Sequence, residues 1–118
     1  MRSMALAEAT ISQLRRGVLE FCVLALLRDA ERYSYEIVSA LSSTGGLITS
    51  EGTIYPLLSR LRKEGVVSTT WRESQSGPPR RYYRITASGA NRLQAFVAEW
   101  TRLRHSVDDL LGLGPQDR

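Results

Sequence analysis

Apolar residues recur at three- and four-residue spacing along four stretches of the chain, and two further stretches carry the β-branched and aromatic residues of strands. Between Ser12 and Arg28 the pattern predicts a helix with two stripes: Leu14, Val18, Phe21 and Ala25 on one, Leu19, Val23, Leu26 and Leu27 on the other. Two apolar stripes need two burial surfaces, so one should fill the domain's own core while the other meets a second subunit or lines a cavity. Asp29 to Arg32 is a polar break. Tyr33 to Thr44 predicts a second helix with Tyr33, Ile37, Val38 and Leu41 as its apolar face, Ser34 or a neighbour as its cap, and Gly45 with Gly46 as its stop. After a short apolar link, Leu47 and Ile48, Ser50 is the expected N-cap of a third helix, with Glu51 at its positive end. Ile54, Leu57, Leu58 and Leu61 form the back of that helix, Pro56 falls in its first turns, and Gly65 ends it. Its front carries Thr53, Tyr55, Pro56, Ser59, Arg60 and Lys63: hydroxyls, a ring and cations of the kind a DNA major groove accepts.

Val66 to Glu73 and Arg81 to Thr86 read as strands, and the Gly/Pro loop Ser74 to Pro79 between them permits a reversal. Tyr83 and Ile85 should face one side of this hairpin, Tyr82 and Arg84 the other. Arg80 and Arg81 stand just past its tip. Helix, short turn, helix and a basic hairpin make a winged helix. Thr86 then caps a last helix, Ala87 to about Leu111, in which Leu93, Phe96, Trp100, Leu103, Val107 and Leu110 follow alternating three- and four-residue steps, the seam of a coiled-coil-like contact. At 1.5 Å per residue such a helix is ~37 Å long, more than a small domain needs, so its seam is expected to meet a partner protomer. The fold class is α+β, mostly α: a winged helix-turn-helix with a two-stranded β wing and a long C-terminal dimerisation helix. Residues 1–11 are expected as a flexible arm, 12–86 as the winged-helix domain, 87–111 as the dimerisation helix and 112–118 as a flexible tail.

Composition changes this picture in one respect. The chain has 118 residues and a net charge of only +4, but Arg60, Arg62, Lys63, Arg72, Arg80, Arg81 and Arg84 face only Glu64 and Glu73 within residues 60–84. Nearly all the excess cation lies on the third helix and the hairpin, which points to a polyanionic partner. Cys22 is the only cysteine and sits in an apolar run, so a disulfide framework and a cysteine-rich zinc site are excluded and an inert core thiol is expected. His105 is the only histidine, Asp108 and Asp109 are the only notable carboxylate pair, and no nucleophile motif or metal-ligand spacing is present. No catalytic residue, metal or cofactor is expected. There is no secretory pattern and no apolar run long enough for a bilayer, so a cytoplasmic protein without a membrane partner is expected.

The strings YSYEI, SEGTIYPLLSRLRKEGVV and GPPRRYYRITASG, in that order and spacing, resemble the PadR family of transcriptional regulators, in its shorter subfamily with one helix after the wing. The resemblance covers about Leu14 to Leu110. It implies a homodimeric repressor on a palindromic double-stranded DNA operator, with Ser50, Gly52, Thr53, Tyr55, Pro56 and Arg60 facing the major groove or its phosphates, Tyr35 touching the backbone, and Arg80 and Arg81 on the wing near the minor groove. Phosphate contacts would supply affinity, with Thr53 and Tyr55 as the base readers. Trp100 is similar in position to a tryptophan that, in multidrug-sensing members, lines a flat pore at the dimer interface and stacks on planar aromatic ligands. Leu14, Gly17, Val18, Phe21 and Ala25 would lie across from it, with Phe96 and Arg104 flanking it. The sequence departs from that pattern in the bulk of Phe21 and Phe96, which implies a partly filled pore. The alternative is a winged-helix module that binds protein rather than DNA.

Overall fold

The computed structural model describes residues 2–45 and 51–114, with the side chains of Leu14 and of residues from 17 onward within them. Helix α1 runs from Arg2 to Asp29, so residues 2–11 are its first turns rather than a loose arm. Their Ala, Leu and Glu content has high helix propensity even where no apolar stripe marks a buried face. In its second half Leu19, Val23, Leu24 and Leu27 are buried, while Leu14 and Gly17 on the other stripe are exposed and Val18, Phe21 and Ala25 are half-buried.

The polar break holds a two-residue strand, β1 (Arg32–Tyr33), followed at once by α2 (Ser34–Ser43). Tyr33 is the residue that begins α2: its backbone N–H donates to the Glu36 carboxylate at 3.0 Å, half of a capping box. Gly46, the Leu47 and Ile48 link and Ser50 lie outside the described residues. A 3-10 turn, Glu51–Thr53, leads into α3 (Ile54–Lys63), which buries Ile54, Leu58 and Leu61. Its end is a Schellman turn: Gly65 at φ +77° donates to Arg62 O at 3.1 Å, and Val66 donates to Leu61 O at 3.1 Å.

Strands β2 (Val67–Ser74) and β3 (Gly77–Ile85) form an antiparallel hairpin, and β1 joins the far side of β3 to give a three-stranded sheet in the order β1-β3-β2. The expected loop Ser74 to Pro79 is shorter than its composition suggested: Ser74 pairs with Gly77, leaving Gln75 and Ser76 as the turn. Arg72 pairs with Arg80, so β3 carries one extra residue at Pro78 and Pro79. Such a bulge is where a strand tolerates proline's missing N–H. Tyr83 is buried and Ile85 packs beside it, with Arg84 exposed on the opposite face, as alternation required.

Helix α4 (Ala87–Leu111) starts where α3 ends. The Thr86 hydroxyl accepts from Gly89 N–H at 3.1 Å and donates to Gly65 O at 2.7 Å, while Thr86 N–H donates to Val66 O at 3.1 Å. Gly89 is buried because α4 passes so close to Val66 that a Cβ would press into its carbonyl oxygen and lie 2.8 Å from Ile85 Cγ1. The core gathers α1, α2 and α3 over Val66, Val67, Tyr83 and Leu93. Beyond it α1 and α4 project, and the Cα radius of gyration is 16.8 Å, against ~13.5 Å for a compact chain of this length.

Candidate nucleic-acid interface

The front of α3 and the turn before it present Gly52, Thr53, Tyr55, Pro56 and Ser59, all exposed and on adjacent turns. Tyr55 Oη donates to the Glu51 carboxylate at 3.4 Å, one turn away, which leans the phenol toward the start of the helix. Tyr35, on the first turn of α2, is also exposed, its ring stacked on Tyr33 at 6.2 Å. Ser50 lies outside the described residues.

Arg60 is placed differently from its neighbours. Its guanidinium bonds Glu64 at 3.0 Å and Glu20 of α1 at 3.1 Å, and Arg92 of α4 bonds Glu64 at 2.7 Å and Glu20 at 3.5 Å. Two cations and two carboxylates thus tie α1, α3 and α4 together with no net charge. The Arg92 and Arg60 guanidinium groups hold the Glu64 carboxyl below its usual range, and hydrogen bonds to Glu64 push both arginines up in return. Arg60 therefore braces α3 on its neighbours while its side chain stays 46% exposed.

On the wing every arginine near the turn lies over a ring. Arg80 sits 4.4 Å above Tyr33, Arg72 4.7 Å above Tyr82 and Arg81 4.8 Å above Trp71. Tyr33 and Tyr82 meet at 5.5 Å, and Arg72 also pairs with Glu31. Arg80 and Arg81 lie within β3, opposite Arg72 and Trp71, rather than past the tip, because the turn is short. Successive residues of a strand point to opposite faces, so each face of the wing carries one of them. Stacking holds a weakly hydrated guanidinium in one pose; Arg72 commits one N–H to Glu31, and Arg81 Nε is buried with no hydrogen-bond partner among the described residues. The sequence assigns Trp71 no role and reads Arg72 only as one of a basic run, Tyr33 as a helix-face residue and Tyr82 as a strand residue, none of them as a stacking partner. The signal that could have found them is the cross-strand pairing of Trp71 with Arg81, legible only once the register is known.

The predicted seam on α4 divides in two. Leu93 is 4% exposed and belongs to the core, whereas Leu103, Val107 and Leu110 are open to solvent. Between them the Phe96 ring stacks on Phe21 of α1, centroids 3.9 Å apart and 7° from parallel, and Trp100 stacks on Phe96 at 5.5 Å. The bulk that implied a partly filled pore is thus a three-ring stack with one flank of Trp100 still accessible. Arg104 is exposed beside His105. A cavity of about 340 Å³ lies elsewhere, against another flank of α4, lined by Arg28, Ile85, Ala90, Leu93, Gln94 and Val97. Of these only Leu93 was a candidate from sequence, and as a seam residue. Among the described residues no cluster of metal-ligating side chains occurs and no helix is long and apolar enough to cross a membrane.

A family model described as "Transcriptional regulator PadR-like family" matches residues 23–95. Among solved structures the chain is similar to a PadR-like transcriptional regulator of Bacillus cereus, at 40% identity over 84% of this chain and 96% of that one, with a TM-score of 0.76. It is also similar to a PadR family transcriptional regulator of Eggerthella lenta, at 33% identity over 97% of this chain and 99% of that one, with a TM-score of 0.83. An uncharacterised protein of Lysinibacillus sphaericus is 32% identical over 99 residues, 82% of this chain and 91% of its own length.

Proposed function

The chain belongs to the PadR-like family of transcriptional regulators, and from that premise we propose that it is a homodimeric repressor whose two α3 helices read the half-sites of a palindromic operator. The observation that carries this reading is the joint exposure of Thr53, Tyr55 and Pro56 on α3 and of ring-stacked Arg72 and Arg80 on the wing, with half-buried Arg81 stacked on Trp71 beside them. The helix face supplies short hydroxyl and aromatic groups for base edges, and the wing supplies fixed cations for phosphates. Gly52 and Tyr35 add backbone and phenol contacts at the rim. The dimer forms through Trp100, Leu103, Val107 and Leu110. A planar hydrophobic effector held on the free flank of Trp100, with Val18, Phe21, Ala25 and Phe96 behind it, would shift the spacing of the two α3 helices and release DNA.

Selection of bound fragments from genomic DNA, followed by affinity measurements across salt concentrations, tests this reading. Arg81→Ala should weaken binding to all sequences alike and flatten the log-affinity against log-salt slope by about one, while Tyr55→Ala should relax sequence preference at an unchanged slope. Duplex binding unaltered in both variants would remove this surface from consideration, and binding insensitive to salt would favour a protein partner.

A further inference from the structure

The wing carries an anion site that the chain fills with a carboxylate of its own. We propose that Glu31 stands where a backbone phosphate of the duplex binds Arg72, and that it holds down the affinity for DNA until a phosphate displaces it. This rests on the DNA-binding reading and adds to it a further contact, Arg72, and a residue that opposes binding. The sheet register brings the parts together. Arg72 pairs with Arg80 across β2 and β3, and Tyr33 pairs with Tyr82 across β1 and β3. Register partners share a face, as do residues two apart on a strand, so Arg72, Arg80, Tyr82 and Tyr33 lie on one side of the sheet. Two cations directly opposite one another repel. Each is turned onto a ring instead, Arg80 4.4 Å above Tyr33 and Arg72 4.7 Å above Tyr82, and Glu31, the residue before β1, closes on the Arg72 guanidinium. Among the described residues no other carboxylate pairs with either arginine, so this face keeps one uncompensated positive charge.

Three features make this carboxylate a competitor rather than a brace. The first is its place. The exposed Tyr35 ring stacks on Tyr33, on which Arg80 also lies, so Tyr35 and Arg80, both contacts in the proposed DNA complex, run on into Arg72 and Glu31 as one strip. A negative charge on a strip that approaches phosphates opposes the approach. The second is strength. The Arg72 and Glu31 side chains are 50% and 32% exposed, and an ion pair so open to water holds weakly. A phosphate of the duplex offers the same guanidinium a bidentate partner and releases condensed counterions as it binds. Tyr82 keeps the guanidinium plane in place during the exchange. The third is that the turn does not depend on Glu31: Arg32 Nε donates to Leu26 O at 2.9 Å, Tyr33 N–H donates to Glu36, and β1 pairs with β3, so the backbone here is fixed without the Arg72 pair.

The test is the affinity of the full chain for a random-sequence duplex, read by fluorescence anisotropy across salt concentrations. Glu31→Gln should tighten binding about three- to tenfold and steepen the log-affinity against log-salt slope by about one. Glu31→Asp, which keeps the charge, should stay near the parent. Arg72→Ala should weaken binding more in the Glu31→Gln chain than in the parent, because in the parent the phosphate contact is already offset by the displacement of Glu31. A Glu31→Gln protein that binds with the parent's affinity and slope overturns the proposal, and so do equal losses from Arg72→Ala in the two backgrounds. Weaker binding by Glu31→Gln together with a lower thermal midpoint overturns it too, and would make Glu31 a brace of the wing. The parent's own binding, measured first, tests the underlying reading separately: a parent that binds no duplex at low salt sinks both, whereas salt-dependent binding with no response to Glu31→Gln sinks only the competitor.

Discussion

Replacing Gly89 by alanine should destabilise the protein, although the same change on a helix usually does the reverse. Gly89 is the third residue of α4, where alanine would contribute up to ~1 kcal/mol of helix propensity. Against this, the added methyl would be driven into the Val66 carbonyl oxygen, 2.8 Å from Ile85 Cγ1 and 3.0 Å from the Val66 carbonyl carbon. The first and last of these are backbone and cannot rotate away, so the overpacking cost of ~1–3 kcal/mol applies in full. If α4 lifts to relieve it, the bonds from Thr86 N–H to Val66 O and from the Thr86 hydroxyl to Gly65 O are stretched, at ~1 kcal/mol each. The net expectation is ~2–3 kcal/mol, a fall in midpoint of ~8–12 °C for a domain of this size. Thermal unfolding by circular dichroism is the assay, with Gly17→Ala as the internal contrast. Gly17 is exposed in α1 with nothing within 4 Å of its would-be Cβ, so that variant should melt at or above the parent. A Gly89→Ala protein melting within 2 °C of the parent would refute the claim that α4 is seated on Val66.

Leu103→Asp should leave helicity intact and give a monomer in sedimentation, since Leu103 is exposed in the single chain and a carboxylate is costly only where a partner covers it; a dimer of unchanged affinity would place the interface elsewhere. The Glu64 carboxyl is held low in the folded state by Arg92 and Arg60, so its contribution is present above the unfolded glutamate pKa and lost as pH falls through the folded one. Glu64→Gln should therefore flatten the acid limb of stability against pH, and superimposable acid limbs would argue that the network adds nothing. Burial pushes the Cys22 thiol up, so iodoacetamide should label the native protein at mildly alkaline pH many times more slowly than the urea-unfolded chain; equal rates would mean the thiol is open.

Elements with one apolar face were legible in the sequence. The periodicity of Ile54, Leu58 and Leu61, the Thr86 cap and the stop at Gly65 are local signals, each written within five residues of its effect. What escaped depends on partners far apart in the chain. Arg32 and Tyr33 are too few to show alternation and become a strand only because β3 offers an open edge at Tyr82 and Tyr83. The bracing role of Arg60 shows only when α1 and α4 bring up Glu20 and Arg92, at sequence distances of 40 and 32 residues. The bulk of Phe21 and Phe96 is plain in the sequence, but their contact needs the crossing of α1 and α4, which no spacing rule supplies. Leu93 carries the seam's spacing yet is core, because the first turns of α4 lie over Val66 and only the later turns leave the domain.

The knot of Glu20, Arg60, Glu64 and Arg92 has a consequence for how the protein's rigidity depends on salt. It is neutral, so it adds nothing to attraction for DNA, yet its members are partly open to water and weaken as electrolyte rises, screening being effective beyond ~8 Å at physiological strength and closer in above it. On the proposed DNA-binding reading, added salt would thus act twice, once by competing for phosphates at the wing and once by slackening the clamp that holds α3 to α4.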